Sequence, residues 1–146
     1  MAGYSGTPLQ KKLGIEPGFR VTLTGMPIEV SRELKSALKR CTSTPSGSVD
    51  YAHLFVKRLA DLSPALVALS ARLVPRGMLW VSWPKKSSGV ASDVDENEVR
   101  RAGLGAGLVD IKVCAVTEIW SGLKFVIPVK LRGAARQAPG SPRLKS

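Results

Sequence analysis

The sequence predicts an α/β protein built as a three-layer sandwich, with a sheet between two layers of helices. Two observations predict this class. Segments with the patterns of strands and helices alternate along the chain, and the last two strand segments are joined by a turn too short for a crossover helix. Right-handed crossovers between the earlier strands imply that those strands are parallel. We therefore expect a mostly parallel five-stranded sheet that ends in a C-terminal antiparallel β-hairpin.

The first half of the chain contains two predicted helices and two predicted strands: helices at 7–14 and 29–39, and strands at 19–24 and 51–56. The first helix has Pro8 in its first turn and Gly14 where it would end. Apolar and polar residues alternate along the first strand, which is typical of a strand buried on one face. The second strand is almost continuously apolar, which indicates that both of its faces are covered.

The second half contains two predicted helices and three predicted strands: helices at 61–74 and 93–102, and strands at 77–83, 109–115 and 123–127. Leucines at helical spacing form one apolar stripe along the longer helix. Ser63-Pro64 is a cap-like entry to that helix, and Pro75-Arg76-Gly77 is expected to end it. The shorter helix begins with acids and ends with bases, as the helix dipole favours. The turn Trp120-Ser121-Gly122 joins the last two strands as a hairpin.

The composition limits what the protein can be. Its 146 residues, 44% of them hydrophobic, suit one compact domain with its own core, which we place at residues 1–132. Residues 133–146 are small and basic without periodicity, and we expect them to form a disordered tail. Lys and Arg total 22 against 11 acidic residues, a net charge of +11. Such a charge attracts phosphates, nucleic acid or an anionic membrane surface.

Other features of the sequence argue against several classes of protein. Cys41 and Cys114 are too few for a disulfide framework or a metal site, so we expect free thiols and no bound metal. No apolar run is long enough to span a membrane, and the N-terminal residues lack the apolar centre of a signal peptide. We therefore expect a cytoplasmic protein with no membrane partner.

The sequence pattern does not favour an enzyme. His53 is the only histidine, and it lies inside the apolar strand at 51–56 without an acid or a cysteine near it in sequence. We expect a packed or hydrogen-bonded core residue, because a general base must reach the proton that it removes. The serines of the chain then lack a base, so we predict no catalytic residue.

Three motifs resemble those of an uncharacterised bacterial protein family of unknown function: Gly3-Tyr4-Ser5-Gly6-Thr7-Pro8-Leu9, Trp83-Pro84-Lys85-Lys86-Ser87-Ser88-Gly89 and Trp120-Ser121-Gly122-Leu123-Lys124-Phe125. The leucine-rich helix, Pro75-x-Gly77, the following strand and helix, and the closing hairpin also resemble the second half of Rossmann-like class I methyltransferases. This resemblance implies a truncated Rossmann-like fold with the sheet order 1-2-3-5-4, in which the predicted strands are numbered along the chain.

The methyltransferase resemblance also implies features that this sequence lacks. Those enzymes place a glycine-rich turn after the first strand and an acidic residue after the next one, and these hold S-adenosylmethionine. Here the first strand leads into Thr24-Gly25-Met26-Pro27, which has a single glycine. A lone glycine does not support a claim of nucleotide-cofactor binding. We therefore predict no cofactor.

The topology predicts where a ligand would bind, because ligands of open α/β sheets bind beyond the carboxyl ends of the parallel strands. The candidate ligand-binding residues at that edge are Lys57, Arg58, Lys85, Lys86, Ser87, Ser88, Gly89, Trp120 and Ser121. With loop amides and the start of the next helix, they would bind a phosphate or a carboxylate. Two alternatives stay open: the paired lysines can be merely solvated, and Trp120 can be either a lid or a stacking surface.

Three functions follow from these expectations, in this order. The first is a non-catalytic domain that binds a small phosphate- or carboxylate-bearing molecule, or a partner, at the basic rim. The second is a nucleic-acid-binding module that uses the basic surface and tail, although no recognised nucleic-acid signature is present. The third is a residual S-adenosylmethionine-dependent methyltransferase, which fold analogy alone supports.

Overall fold

The computed structural model describes residues 7–133, within which five α-helices and six strands form. The helices are α1 (Leu9–Leu13), α2 (Ile28–Glu33), α3 (Lys35–Leu38), α4 (Leu59–Ser70) and α5 (Glu96–Gly105). The strands are β1 (Arg20–Thr24), β2 (Thr42–Ser43), β3 (Val49–Phe55), β4 (Leu73–Pro84), β5 (Val109–Ala115) and β6 (Trp120–Val126). The predicted tail, apart from Gly133, and the start of the first motif lie outside the described residues.

The six strands form one mixed sheet in the order β2-β1-β3-β4-β6-β5. The first four of these are parallel, while β6 is antiparallel to both β4 and β5. The prediction of five strands is wrong, and the strand order differs from the predicted one, because β2 adds a sixth strand at the edge. β2 has only two residues, which is too short to show the period of a strand in the sequence.

Pro75 lies inside β4, whereas the sequence predicts that it ends a helix. β4 already begins at Leu73, and α4 ends at Ser70. The pairing of β3 with β4 is irregular here, since β3 advances from Val49 to Tyr51 while β4 advances from Leu73 to Met78. A proline is tolerated in such a bulge because it has no N–H to give to the ladder.

The hydrophobic core has one layer on each face of the sheet, as a three-layer α/β sandwich requires. One layer packs α4 and α5 against the sheet and includes Leu66 and Phe125. The other packs α1, α2 and α3 against the opposite face and includes Leu34 and Trp80. The α/β class is therefore confirmed, and the carboxyl ends of the parallel strands emerge between the two helical layers.

Two further observations concern the same part of the chain. No helix among residues 7–133 has the length and apolarity needed to cross a membrane. Cys41 and Cys114 are free thiols, and the described residues contain no group of three or more His, Cys, Asp or Glu side chains placed to hold a metal ion.

Candidate ligand-binding cleft

A cleft of about 720 Å³ opens at the carboxyl ends of β1 and β3. It is lined by Thr24, Gly25, Pro27, Glu29, Leu54, Phe55, Val56, Lys57, Arg58, Asp61, Ala65, Val90, Ile119 and Trp120. The lining therefore comes from the ends of β1 and β3, from α2 and α4, from the connection between β4 and α5, and from the start of β6 with the residue before it. Ligands of open α/β sheets generally bind at this edge of the sheet.

The buried part of the cleft lining is aromatic. Phe55 and Trp120 are 7% and 5% exposed, and their rings meet edge to face with centroids 5.2 Å apart. Trp120 is thus packed into the wall of the cleft. Within residues 7–133, no group accepts a hydrogen bond from its indole N–H. A buried indole N–H normally finds an acceptor, so a ligand with an acceptor atom would complete this wall.

The charged rim of the cleft is balanced in sign. Lys57 and Arg58 line it and are exposed, as are the carboxylates Glu29 and Asp61. Arg58 lies 3.9 Å from Asp61, so its charge is partly compensated. Lys57 has no carboxylate within ion-pair distance among the described residues. Lys57 is therefore the cation of this rim that is available to an anionic group.

The candidate residues Lys85, Lys86, Ser87, Ser88 and Gly89 are not among those that line the cleft. The hydroxyl of Ser88 donates to the carbonyl of Lys85 at 2.6 Å and accepts from the N–H of Val90 at 3.1 Å. This hydroxyl is committed to the loop itself. The connection between β4 and α5 contributes only Val90 to the lining, and sequence reasoning did not select that residue.

Ser121 is also absent from the lining. The prediction that Trp120-Ser121-Gly122 forms the hairpin turn is wrong, because these residues belong to β6, in which Ser121 is paired opposite Trp83 and Ala115. Lys57, Arg58 and Trp120 are the three predicted residues that the structure brings together. Sequence reasoning missed Glu29 and Asp61. Their position in the first turns of α2 and α4, which follow strands that end at the rim, is the signal that could have identified them.

Asp93 caps the start of α4. Its carboxylate accepts a hydrogen bond from the N–H of Leu59 at 2.6 Å, and its own N–H donates to the carbonyl of Lys57. This tertiary cap explains why α4 begins before the predicted entry, so that Pro64 lies inside the helix. The start of α5 is similarly capped, because the side chain of Asp95 accepts from the N–H of Glu98. The starts of both helices are therefore already capped by a carboxylate of this chain.

Gly25 lies where β1 enters the cleft and has a φ of +72°. A Cβ at this position would lie 2.8 Å from the carbonyl oxygen of Phe55. Only glycine lets the two strand ends approach so closely while adopting this backbone conformation. The single glycine that follows β1 is therefore required by the cleft wall itself.

Gly25→Ala is expected to lower the free energy of unfolding by about 2 kcal/mol, since the positive φ costs about 1 kcal/mol and the contact with the Phe55 carbonyl adds to it. Gly18→Ala is the matched control, because Gly18 also has a positive φ, of +87°, but open space around its Cβ. Urea unfolding followed by circular dichroism measures both. Equal losses in the two variants would show that the close approach at Gly25 contributes nothing.

His53 is fully buried next to the cleft wall and stacks on Phe55. Its Nδ1 lies 2.8 Å from the Tyr51 hydroxyl and its Nε2 lies 2.8 Å from the Ser82 hydroxyl. Burial lowers the pKa of His53 from 6.5 to about 3. The prediction of a hydrogen-bonded core histidine is confirmed, and the imidazole is neutral at physiological pH.

β2 ends short of the cleft. It pairs with the first two residues of β1, whereas β1 continues for three more residues to Thr24. At about 3.3 Å per residue, β2 stops roughly 10 Å before the rim. The chain after it contains no acid between Thr44 and Val49, and Arg72 holds it by donating to the Thr44 carbonyl at 2.6 Å. No carboxylate is placed beside Gly25 by this strand.

Solved structures with a similar fold include several methyltransferases. A SAM-dependent methyltransferase from Aquifex aeolicus is 16% identical, with 80% of this chain and 86% of that chain covered and a TM-score of 0.59. Magnesium protoporphyrin IX methyltransferase from Synechocystis is 14% identical, with 78% of this chain and 76% of that chain covered and a TM-score of 0.56. A methyltransferase from Pyrococcus furiosus is 12% identical, with 80% of this chain and 78% of that chain covered and a TM-score of 0.51. The fold is therefore that of a methyltransferase-like α/β protein.

A family model described as "Protein of unknown function (DUF3052)" matches residues 10–129, and the chain belongs to this family. This match confirms the resemblance to a family of unknown function. No curated protein matches the sequence significantly.

Proposed function

We propose that this protein binds a small organic molecule in the cleft at the carboxyl edge of the sheet, and that this molecule combines an aromatic or apolar body with an anionic group. The observation that carries the proposal is the joining of a buried Phe55–Trp120 wall with the uncompensated ammonium of Lys57 in one cleft of about 720 Å³. Clefts of about 300–1,000 Å³ with apolar walls and few polar groups are typical of small-ligand sites.

The two parts of the ligand follow from the two parts of the cleft. A ring system would pack against Phe55 and Trp120, and an acceptor atom on it would satisfy the indole N–H. A carboxylate or phosphate would contact Lys57 at the rim, with Arg58 beside it. Glu29 and Asp61 disfavour a ligand with several negative charges, because each would face a carboxylate as well as a cation.

The side chains around the cleft support ligand binding without catalysis. The only histidine is stacked behind Phe55, and both of its ring nitrogens have hydrogen-bond partners. Its imidazole therefore has no route to a ligand in the cleft. The serine that contacts it, Ser82, is fully buried as well.

S-adenosylmethionine is the second candidate ligand. The methyltransferase-like fold and the position of Gly25 at the end of β1 favour it. The cleft departs from such a site on its β2 side, where no carboxylate is available for ribose hydroxyls. We rank this candidate second for that reason.

Fluorescence titration with anilinonaphthalene sulfonate, an aromatic anion, tests the first candidate. We expect the folded protein to bind it and Lys57→Ala to bind it roughly tenfold more weakly, which is the effect of losing one charge-assisted contact. Lys86→Ala is the matched control, since Lys86 is exposed but does not line the cleft. An equal loss of affinity in both variants, or no binding by the unmodified protein, would refute the proposed site.

Calorimetric titration with S-adenosylmethionine separates the two candidates. If the unmodified protein gave heat of binding and a folded Gly25→Ala variant gave none, the second candidate would rank ahead of the first. We expect no measurable heat, because the β2 side of the cleft lacks its acid.

A further inference from the structure

Three lysines, Lys12, Lys112 and Lys124, gather at the C-terminal end of α1, and we refer to them as the lysine cluster. The ammonium of Lys112 donates to the carbonyl of Lys12 at 3.1 Å, and that of Lys12 donates to the carbonyl of Ala115 at 3.0 Å. A Cβ on Gly14, which ends α1, would lie 3.8 Å from the ammonium of Lys124. None of the three lysines lines the cleft.

Two members of the lysine cluster face each other directly across the sheet. Lys112 of β5 is paired with Lys124 of β6 in the antiparallel register. The Cβ atoms of such a pair lie about 4.5–5.5 Å apart, and like charges at this position are destabilising. The arrangement therefore costs stability unless something compensates the two charges.

No carboxylate of the described residues provides that compensation. The five ion pairs between residues 7–133 all use arginine, and none involves Lys112 or Lys124. The ammonium of Lys112 donates to the carbonyl of Lys12, so Lys112 has a hydrogen-bond acceptor at the C-terminal end of α1. Cations are favoured at this end of a helix. Lys124 has no acceptor within the described part of the chain.

Lys124 is also the member of the cluster for which a missing counter-charge is most costly. Its side chain is half-buried, and burial, followed by the neighbouring charge of Lys112, lowers its pKa. A charge that is partly withdrawn from water without a partner is unfavourable. An uncompensated cation that is kept in such a place is typical of a binding site for the opposite charge.

We propose that the lysine cluster binds a phosphate group, either as the free anion or on a small phosphomonoester. A lysine ammonium contacts phosphate as a compact point charge, and a dianion would compensate Lys112 and Lys124 together. The amides of Gly14 and Ile15 donate to carbonyls of α1. The contacts to phosphate therefore come from the ammonium groups.

Thermal unfolding in inorganic phosphate against chloride of equal ionic strength tests this site, with glycerol 3-phosphate as a second arm. We expect both phosphates to raise the melting temperature of the full chain, and Lys124→Met to weaken their affinity by roughly tenfold. In chloride alone, Lys124→Met is expected to melt at a higher temperature than the unmodified protein, because the substitution removes the like-charge pair. Stabilisation by inorganic phosphate alone would identify the free anion as the ligand.

The controls separate this site from general salt effects and from the cleft. Phosphate stabilises folded proteins by exclusion from their surface, so Lys130→Met, which removes an exposed lysine elsewhere, gives the baseline. Lys57→Ala should keep phosphate binding in full. The proposal is overturned if phosphate stabilises Lys124→Met as strongly as Lys130→Met, or if Lys57→Ala abolishes the effect.

Discussion

Replacing Gly103 with alanine is expected to lower the free energy of unfolding by about 2–3 kcal/mol, although alanine is normally the better helix former. A Cβ on Gly103 would overlap the ring of Phe125, which is fully buried between α5 and the sheet. Either the ring must leave its rotamer or α5 must move away from β6. Both changes disturb one of the two core layers, which is why the expected loss exceeds the gain in helix propensity.

Gly105→Ala is the matched control for this prediction. Gly105 belongs to the same helix, and a Cβ built on it would point into open space. The substitution should therefore leave stability unchanged or raise it by about 0.5–1 kcal/mol. Urea unfolding followed by far-UV circular dichroism compares the two variants. If Gly103→Ala were as stable as Gly105→Ala, the helix and the Phe125 ring would not be in tight contact.

The protein is expected to lose roughly 2–3 kcal/mol of stability between pH 6 and pH 4 through His53 alone. Burial keeps the pKa of His53 near 3 in the folded state, against 6.5 for an exposed histidine. Below pH 6.5 His53 binds a proton in the unfolded chain but stays neutral in the folded chain. The stabilisation is therefore complete above pH 6.5 and is lost by about 1.4 kcal/mol per pH unit as the pH falls towards 3.

Urea unfolding at several pH values measures this effect by comparison with His53→Gln. Carboxylates titrate in both proteins, so the difference in slope isolates His53. NMR of the unmodified protein provides a second measurement, because the chain has one histidine and its ring signals are unambiguous. These signals should not shift between pH 5 and pH 8. A titration near pH 6.5 in the folded protein would contradict the predicted burial effect.

The position of the cleft could be predicted from the sequence because it depends on topology. Alternating strands and helices imply parallel strands, and parallel strands place the segments after them at one edge. Lys57, Arg58 and Trp120 were found in this way, and all three line the cleft. The burial of His53 followed from the continuous apolar run around it, since such a run belongs to a strand covered on both faces.

The direction of individual side chains at that edge could not be predicted. The loop at 85–89 has suitable chemistry for an anion site, yet Ser88 is bonded within the loop and Val90 is the residue that reaches the cleft. Loop conformation depends on such local hydrogen bonds and on contacts with distant residues, as when Asp93 caps α4. Neither has a period that a sequence pattern can show.

The sequence by itself determined the α/β class, the closing hairpin and the sheet edge at which the cleft opens, because these depend on local periodicity and on short connections. Only the tertiary structure decided that Pro75 lies in a bulge of β4 and that Glu29 and Asp61 share the cleft with Lys57. It also decided that Lys112 faces Lys124. These features depend on strand register and helix packing, in which residues far apart in the chain become neighbours.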